Sequence, residues 1–167
     1  MDVRYINPFI ASVTDVFKTM LNTAVTIAKP QIKSLGQPSA DVSGIIGYSG
    51  DAVGSVVLSF PAQVAMEVAS RFCGCPVKLA DADFSDAIGE LANMVAGGAK
   101  SRFEGLKVAI SLPNVIIGEN HIVSRTKTPQ LVIPCQCQLG EFFVEVAMVV
   151  PNKPAASPAR ALVGEAS

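Results

Sequence analysis

Two stretches of this chain repeat one another, and together they constrain what it can fold into. Gly50-Asp51 is followed by nine residues of strand-like pattern and then Pro61, and Gly140-Glu141 by nine such residues and then Pro151. Each stretch is the second arm of a hairpin. Residues 42–48 and 53–60 flank Ser49-Gly50-Asp51, with Val56, Leu58 and Phe60 on one face and Ser55, Val57 and Ser59 on the other. Residues 131–138 and 141–150 make the second hairpin.

Each hairpin follows a long helix at some distance. Asn7 as cap and Pro8 at the first helical position open the first helix. Its Phe9, Ile10, Val13, Phe17, Met20 and Leu21 recur at three- and four-residue spacing, to about residue 22. The second helix runs over 83–103 after a polar start at 81–85. Two helix-plus-hairpin halves predict an α+β fold, a largely antiparallel sheet with two long helices packed across it. A Gly–acid start is common in hairpins, so the repeat serves as a hint. Between these parts, 23–32 reads as extended, 36–40 as a turn, and Pro61 to residue 72 as a short helix. Strands are expected at 107–110 and 114–117, with a polar turn at 118–121. One domain spans 1–150, and the tail 151–167, rich in Pro, Ala and Ser without apolar periodicity, is expected to be disordered.

Composition removes several function classes. A chain of 167 residues can bury roughly 70% of its unfolded surface as one domain. Thirteen basic against fourteen acidic residues leave a net charge of −1 with no run of like charges, which excludes a nucleic-acid binder that tracks phosphates. The most apolar stretch, 142–150, is too short to span a bilayer and carries Glu145. Met1-Asp2-Val3-Arg4 lacks the pattern of a signal peptide, so a soluble, cytoplasmic protein without membrane insertion is expected. With 50% hydrophobic and only 16% charged residues, part of the surface is expected to be covered by another subunit, as in a homodimer.

The four cysteines form two Cys-x-Cys pairs, Cys73/Cys75 and Cys135/Cys137. Structural zinc sites space each pair by two to four residues, so the spacing favours buried reduced thiols over a metal site. Cys135 and Cys137 alternate with glutamines, as on one face of a strand. The common catalytic motifs are absent. Asp51 stands where a nucleophile elbow needs glycine, Gly97-Gly98-Ala99-Lys100-Ser101 has the wrong glycine spacing for a phosphate loop, and the single histidine, His121, lies in a turn.

The 83–103 helix carries more information. Ile88, Leu91, Ala92, Val95, Ala99 and Phe103 form its core stripe, and Asp86, Glu90, Asn93, Gly97 and Lys100 the opposite one. Glu90 and Asn93, three residues apart, stand together on that face. Gly97 and Gly98 each cost about 1 kcal/mol relative to alanine inside a helix, which suggests that another backbone comes close. Spacing alone favours an ordinary solvated face, with the glycines serving helix–helix packing or fraying the helix end, and names no reaction.

Asp86-Ala-Ile-Gly-Glu90-Leu-Ala-Asn93-Met94-Val-Ala-Gly97 resembles the signature helix of the CheC/CheX/FliY family of chemotaxis phosphatases. That pattern is Asp or Ser, three residues, Glu, two residues, Asn, and a proline some twenty residues on. Pro113 takes the last place at slightly shorter spacing. The glycine-punctuated hairpin 43–61, and Asn7-Pro8-Phe9 followed by Val16-Phe17-Lys18-Thr19-Met20, also look like this family, so the resemblance covers about residues 2–150. CheC-like members carry a second Glu-x-x-Asn on the first helix. This chain has Asp15-Val16-Phe17-Lys18 there, which is the single-site, homodimeric CheX-like arrangement.

The resemblance implies hydrolysis of the aspartyl phosphate of a CheY-type response regulator. Asn93 would orient the attacking water and Glu90 would pair with the receiver's lysine. Gly97 and Gly98 would admit the receiver surface, Lys100 would join the partner-binding face, and Asp86 would either touch its rim or only favour the helix N-terminus. No cofactor of its own is implied, and Mg²⁺ is expected on the receiver. The alternatives are a dimeric module that docks receivers or other signalling proteins without hydrolysis, and a thiol–metal protein.

Overall fold

A computed structural model describes residues 2–124 and 127–151. The elements run α1 (Val3–Leu21), β1 (Thr26–Ile27), β2 (Gln31–Ile32), β3 (Val42–Gly50), β4 (Val53–Phe60), α2 (Ala62–Cys73), α3 (Ala82–Lys100), β5 (Val108–Ile110), β6 (Asn114–Ile117), β7 (Leu131–Cys137) and β8 (Gly140–Val149). The strands form one antiparallel sheet in the order β1-β7-β8-β4-β3-β5, with β2 also on β7 and β6 also on β3. The α+β expectation holds.

The internal repeat is realised at the sheet's centre. β4 and β8, the two arms that follow Gly50 and Gly140, lie side by side with Val56 opposite Val146. Each of these valines stands at the same place after its turn glycine, so a local two-fold passes between them. α1 and α3 pack against each other on one face, over a core that includes Phe9, Val13, Phe17, Ile46, Leu58, Ile88, Leu91 and Phe142. Phe17 stacks on Phe142 with ring centroids 4.5 Å apart, and Tyr48 meets Phe9 edge-on at 5.9 Å.

Several expectations need correction. Asp2, not Asn7, caps α1, its Oδ1 accepting from the Arg4 N–H at 2.9 Å, and Pro8 lies inside the helix. The extra turn is retained because it brings Ile6 into the core. The extended stretch 23–32 pairs with β7 only in two short pieces flanking Pro30, which has no N–H to donate. α3 ends at Lys100 rather than 103.

The alternation in β4 does not separate a buried from a wet face, since Val57 and Ser59 are fully buried. Segments around Lys33–Ser39 and His121 cover that second face. There Lys33 Nζ donates to Glu145 Oε2 at 2.7 Å, and Ser43 Oγ joins His121 Nε2 at 2.7 Å. The cysteines divide. Cys135 and Cys137 are buried as expected, but Cys73 and Cys75 are exposed, because α2 ends there in a surface turn at Gly74 rather than in a strand. Apart from Pro151, the 151–167 tail lies outside the described residues. Among the described residues, no helix is long and apolar enough to cross a membrane.

Candidate functional site

α3 is held from behind by three contacts around its middle, two from the sheet and one from α1. Gly44 of β3 lacks the Cβ that would sit 3.0 Å from Ala92 Cβ and 3.2 Å from the Ile88 carbonyl oxygen, so the helix approaches closely. Tyr48 Oη donates to the Ala96 carbonyl at 2.7 Å, and Ser12 Oγ of α1 donates to the Val95 carbonyl at 2.7 Å. Burial holds the Tyr48 phenol well above its ordinary pKa, so it remains a donor. With one side so fixed, the other side of α3 is presented as a firm ridge.

That ridge carries the predicted residues in order. Asp86, Glu90 and Lys100 are exposed, and Asn93 and Gly97 are half-buried. Among the described residues, no hydrogen bond or ion pair engages the side chains of Asp86, Glu90 or Asn93, which leaves their polar atoms free for a partner. Asp86 and Glu90 share an open cleft of about 510 Å³ with Ser85, Gly89, Pro113 and Val115. Pro113 reaches it because β6 pairs with β3 beside α3. Asn93 follows less than one turn beyond Glu90, and Lys100 ends the ridge. Charge therefore changes along it, from acidic at the cleft to basic at the helix C-terminus.

The structure separates the two glycines. A Cβ on Gly97 would meet nothing within 4 Å, so that position opens to solvent. A Cβ on Gly98 would overlap Ser12 Oγ and lie 3.2 Å from Ser12 Cβ. Gly98 thus faces α1, and helix packing accounts for its lack of a side chain, which corrects its placement beside Gly97.

Sequence reasoning missed Ser85, Val115 and Gly89 as cleft residues. Gly89 had a readable signal, a glycine inside a helix immediately before Glu90, and its missing Cβ would lie 3.3 Å from Pro113 Cγ. Among the described residues no three His, Cys, Asp or Glu side chains gather as a metal ion would require.

The sequence model of the family described as chemotaxis phosphatase CheX matches residues 42–136, more than half of the chain and all of α3. The chain belongs to the CheX family. A curated relative, the CheY-P phosphatase CheX of Thermotoga maritima, is 32% identical over 123 residues, covering 72% of this chain and 79% of the relative. The crystal structure of a chemotaxis protein CheX from Desulfovibrio desulfuricans superposes with a TM-score of 0.80 at 31% identity, over 87% of this chain and 99% of that one. The CheX of a CheX–CheY–BeF₃–Mg²⁺ complex from Borrelia burgdorferi is 26% identical, with a TM-score of 0.72 over 86% and 97% of the two chains. In this CheX-family phosphatase, the α3 ridge and the Pro113 cleft combine uncommitted polar groups with an open approach.

Proposed function

We propose that this CheX-family chain hydrolyses the aspartyl phosphate of a phosphorylated CheY-type receiver, which docks along the exposed ridge of α3. The observation that carries the reading is the ridge itself, with Glu90 and Asn93 unengaged, side by side, on a helix fixed from behind. The complex of a related CheX with CheY, BeF₃ and Mg²⁺ supports a receiver as the partner.

The chemistry asks little of the phosphatase. An acyl phosphate already has a good leaving group, and the receiver contributes its own Mg²⁺ and lysine to stabilise charge, so the chain needs no cofactor of its own. What remains is to hold a water in line with the phosphorus. The Asn93 carboxamide both donates and accepts hydrogen bonds without ionising, which suits it to that task. The Glu90 carboxylate, one step back on the ridge, pairs with the receiver lysine and sets the register. Gly97 leaves room for the receiver surface, Lys100 meets it at the far end, and Asp86 contacts its rim. The protein acts in the cytoplasm, where CheY-type receivers work, and as a homodimer. Exposed Ile32 and Leu35, at 74% and 103% relative exposure, support a covered apolar surface in that assembly.

The test is phosphate release from a phosphorylated CheY-type receiver with substoichiometric chain. Wild type is expected to exceed the receiver's own decay over many turnovers. Asn93→Ala is expected to lose at least about 100-fold in turnover while still binding the BeF₃-activated receiver. Binding by the wild type without any acceleration would replace the catalytic reading with a docking module.

A further inference from the structure

Leu112 is 87% exposed, yet it does not sit in a loose loop. On its N-terminal side, the Ser111 N–H donates to the Gly47 carbonyl at 2.9 Å, and Ser111 Oγ accepts from the Gly47 N–H at 2.8 Å. The same hydroxyl donates to the carbonyl of Leu112 itself at 2.9 Å. On its C-terminal side, Pro113 packs over Gly89, and Asn114 enters the ladder opposite Ile45 of β3. The backbone that carries this exposed apolar side chain is therefore anchored on both sides, one residue before Pro113, which lines the cleft with Asp86 and Glu90.

A lone exposed leucine is ordinary on any protein surface. This one stands out because of what it borders. Beside the small apolar surfaces of Pro113 and Val115, the ridge offers a partner mainly charged and amide groups, and such exposed pairs contribute little affinity each. An interface that must hold a water in place needs an apolar contact nearby that excludes bulk solvent, and a rigid anchor seats at little entropic cost. Leu112, next along the chain to the cleft residue Pro113 and the most exposed large apolar side chain of that segment, meets both conditions.

We infer that Leu112 is the apolar anchor by which this chain grips the receiver domain that it dephosphorylates. The inference rests on the reading of the α3 ridge as the receiver site and adds a residue that determines partner affinity. It acts by positioning, and it touches neither the phosphoryl group nor the water.

The experiment measures KM and kcat for phosphate release from a phosphorylated CheY-type receiver, with wild type, Leu112→Ala, Leu112→Asn and Leu112→Met. Loss of a buried leucine contact is expected to raise KM about tenfold in the Ala and Asn variants, with kcat within about twofold. Leu112→Met, which keeps the apolar volume, is expected to stay near wild type. Thermal midpoints should not move, because the side chain packs against nothing in the core. Unchanged KM in the Ala and Asn variants, with turnover intact, overturns the anchor while leaving the phosphatase reading in place. A change in solution mass without a change in KM also overturns it, and assigns the residue to a contact between copies. If wild type neither binds nor dephosphorylates receivers, both readings fall together.

Discussion

Gly97→Ala and Gly98→Ala, made separately, place the same methyl group on adjacent residues of one helix. Helix propensity predicts that both substitutions stabilise α3, by up to about 1 kcal/mol. The structure predicts opposite signs. At Gly97 the added Cβ enters open space, so the full propensity gain should appear as a rise of roughly 2–4 °C in thermal midpoint. At Gly98 it overlaps Ser12 Oγ, and Ser12 is only 1% exposed. The hydroxyl can escape only by giving up its 2.7 Å bond to the Val95 carbonyl, and Ser12 Cβ would still be 3.2 Å away. Loss of a buried hydrogen bond and the crowding cost roughly 1–3 kcal/mol each, less the propensity gain. A net loss of about 1–5 kcal/mol, or roughly 2–20 °C, is expected. Ser12→Ala combined with Gly98→Ala should lose less than the sum of the two single changes, because Ser12→Ala removes the atom that clashes.

Activity supplies the other half of this test. Under the proposed docking, Gly97→Ala raises stability while lowering kcat/KM toward the phosphorylated receiver, and Gly98→Ala changes stability with little change in kcat/KM per folded molecule. Thermal unfolding and multiple-turnover phosphate release on the same samples check both. If the two substitutions shift the midpoint in the same direction, the assignment of Gly98 to the α1 contact is wrong.

Two further outcomes follow from the buried polar groups. Lys33→Met leaves Glu145, whose side chain is 3% exposed, with the Ser39 hydroxyl but without its ionic partner, and is expected to cost about 3–5 kcal/mol in chemical denaturation. Replacing both residues by apolar ones should recover most of that loss. The thiols should react in two classes. At pH 8 an alkylating reagent is expected to label exposed Cys73 and Cys75 in the folded protein, and Cys135 and Cys137 only after unfolding. Burial, reinforced by the neighbouring Cys137, pushes the Cys135 thiol from 9.0 up to about 12. Between those values the unfolded chain has lost a proton that the folded chain retains. Stability contributed by the neutral thiol is therefore intact below pH 9 and declines toward pH 12, by at most about 1.4 kcal/mol per pH unit. A Cys135→Ala variant should show a shallower alkaline decline.

What the sequence determined by itself is whatever depends on local period and on spacing along the chain. The 3.6-residue repeat divided α3 into a buried stripe and a ridge bearing Glu90 and Asn93, because that division follows from helix geometry alone. The repeated turn-and-strand frame likewise announced the hairpins, while the two-fold between Val56 and Val146 needed the pairing of β4 with β8 some ninety positions away. Tertiary structure decided what depends on a neighbour from far along the chain. Gly97 and Gly98 are indistinguishable as letters, and only the arrival of Ser12 from α1 gives them opposite roles. Alternation put Val57 and Ser59 on the face opposite Val56 and Leu58, and only the segments around Lys33 and His121, closing over that face, bury them. Pro113 and Val115 reach the cleft because β6 pairs with β3, a contact between residues some seventy positions apart that no local pattern encodes. A side chain's environment is set by what packs against it. One-dimensional period predicts that well where the chain packs on itself nearby, and poorly where distant segments meet.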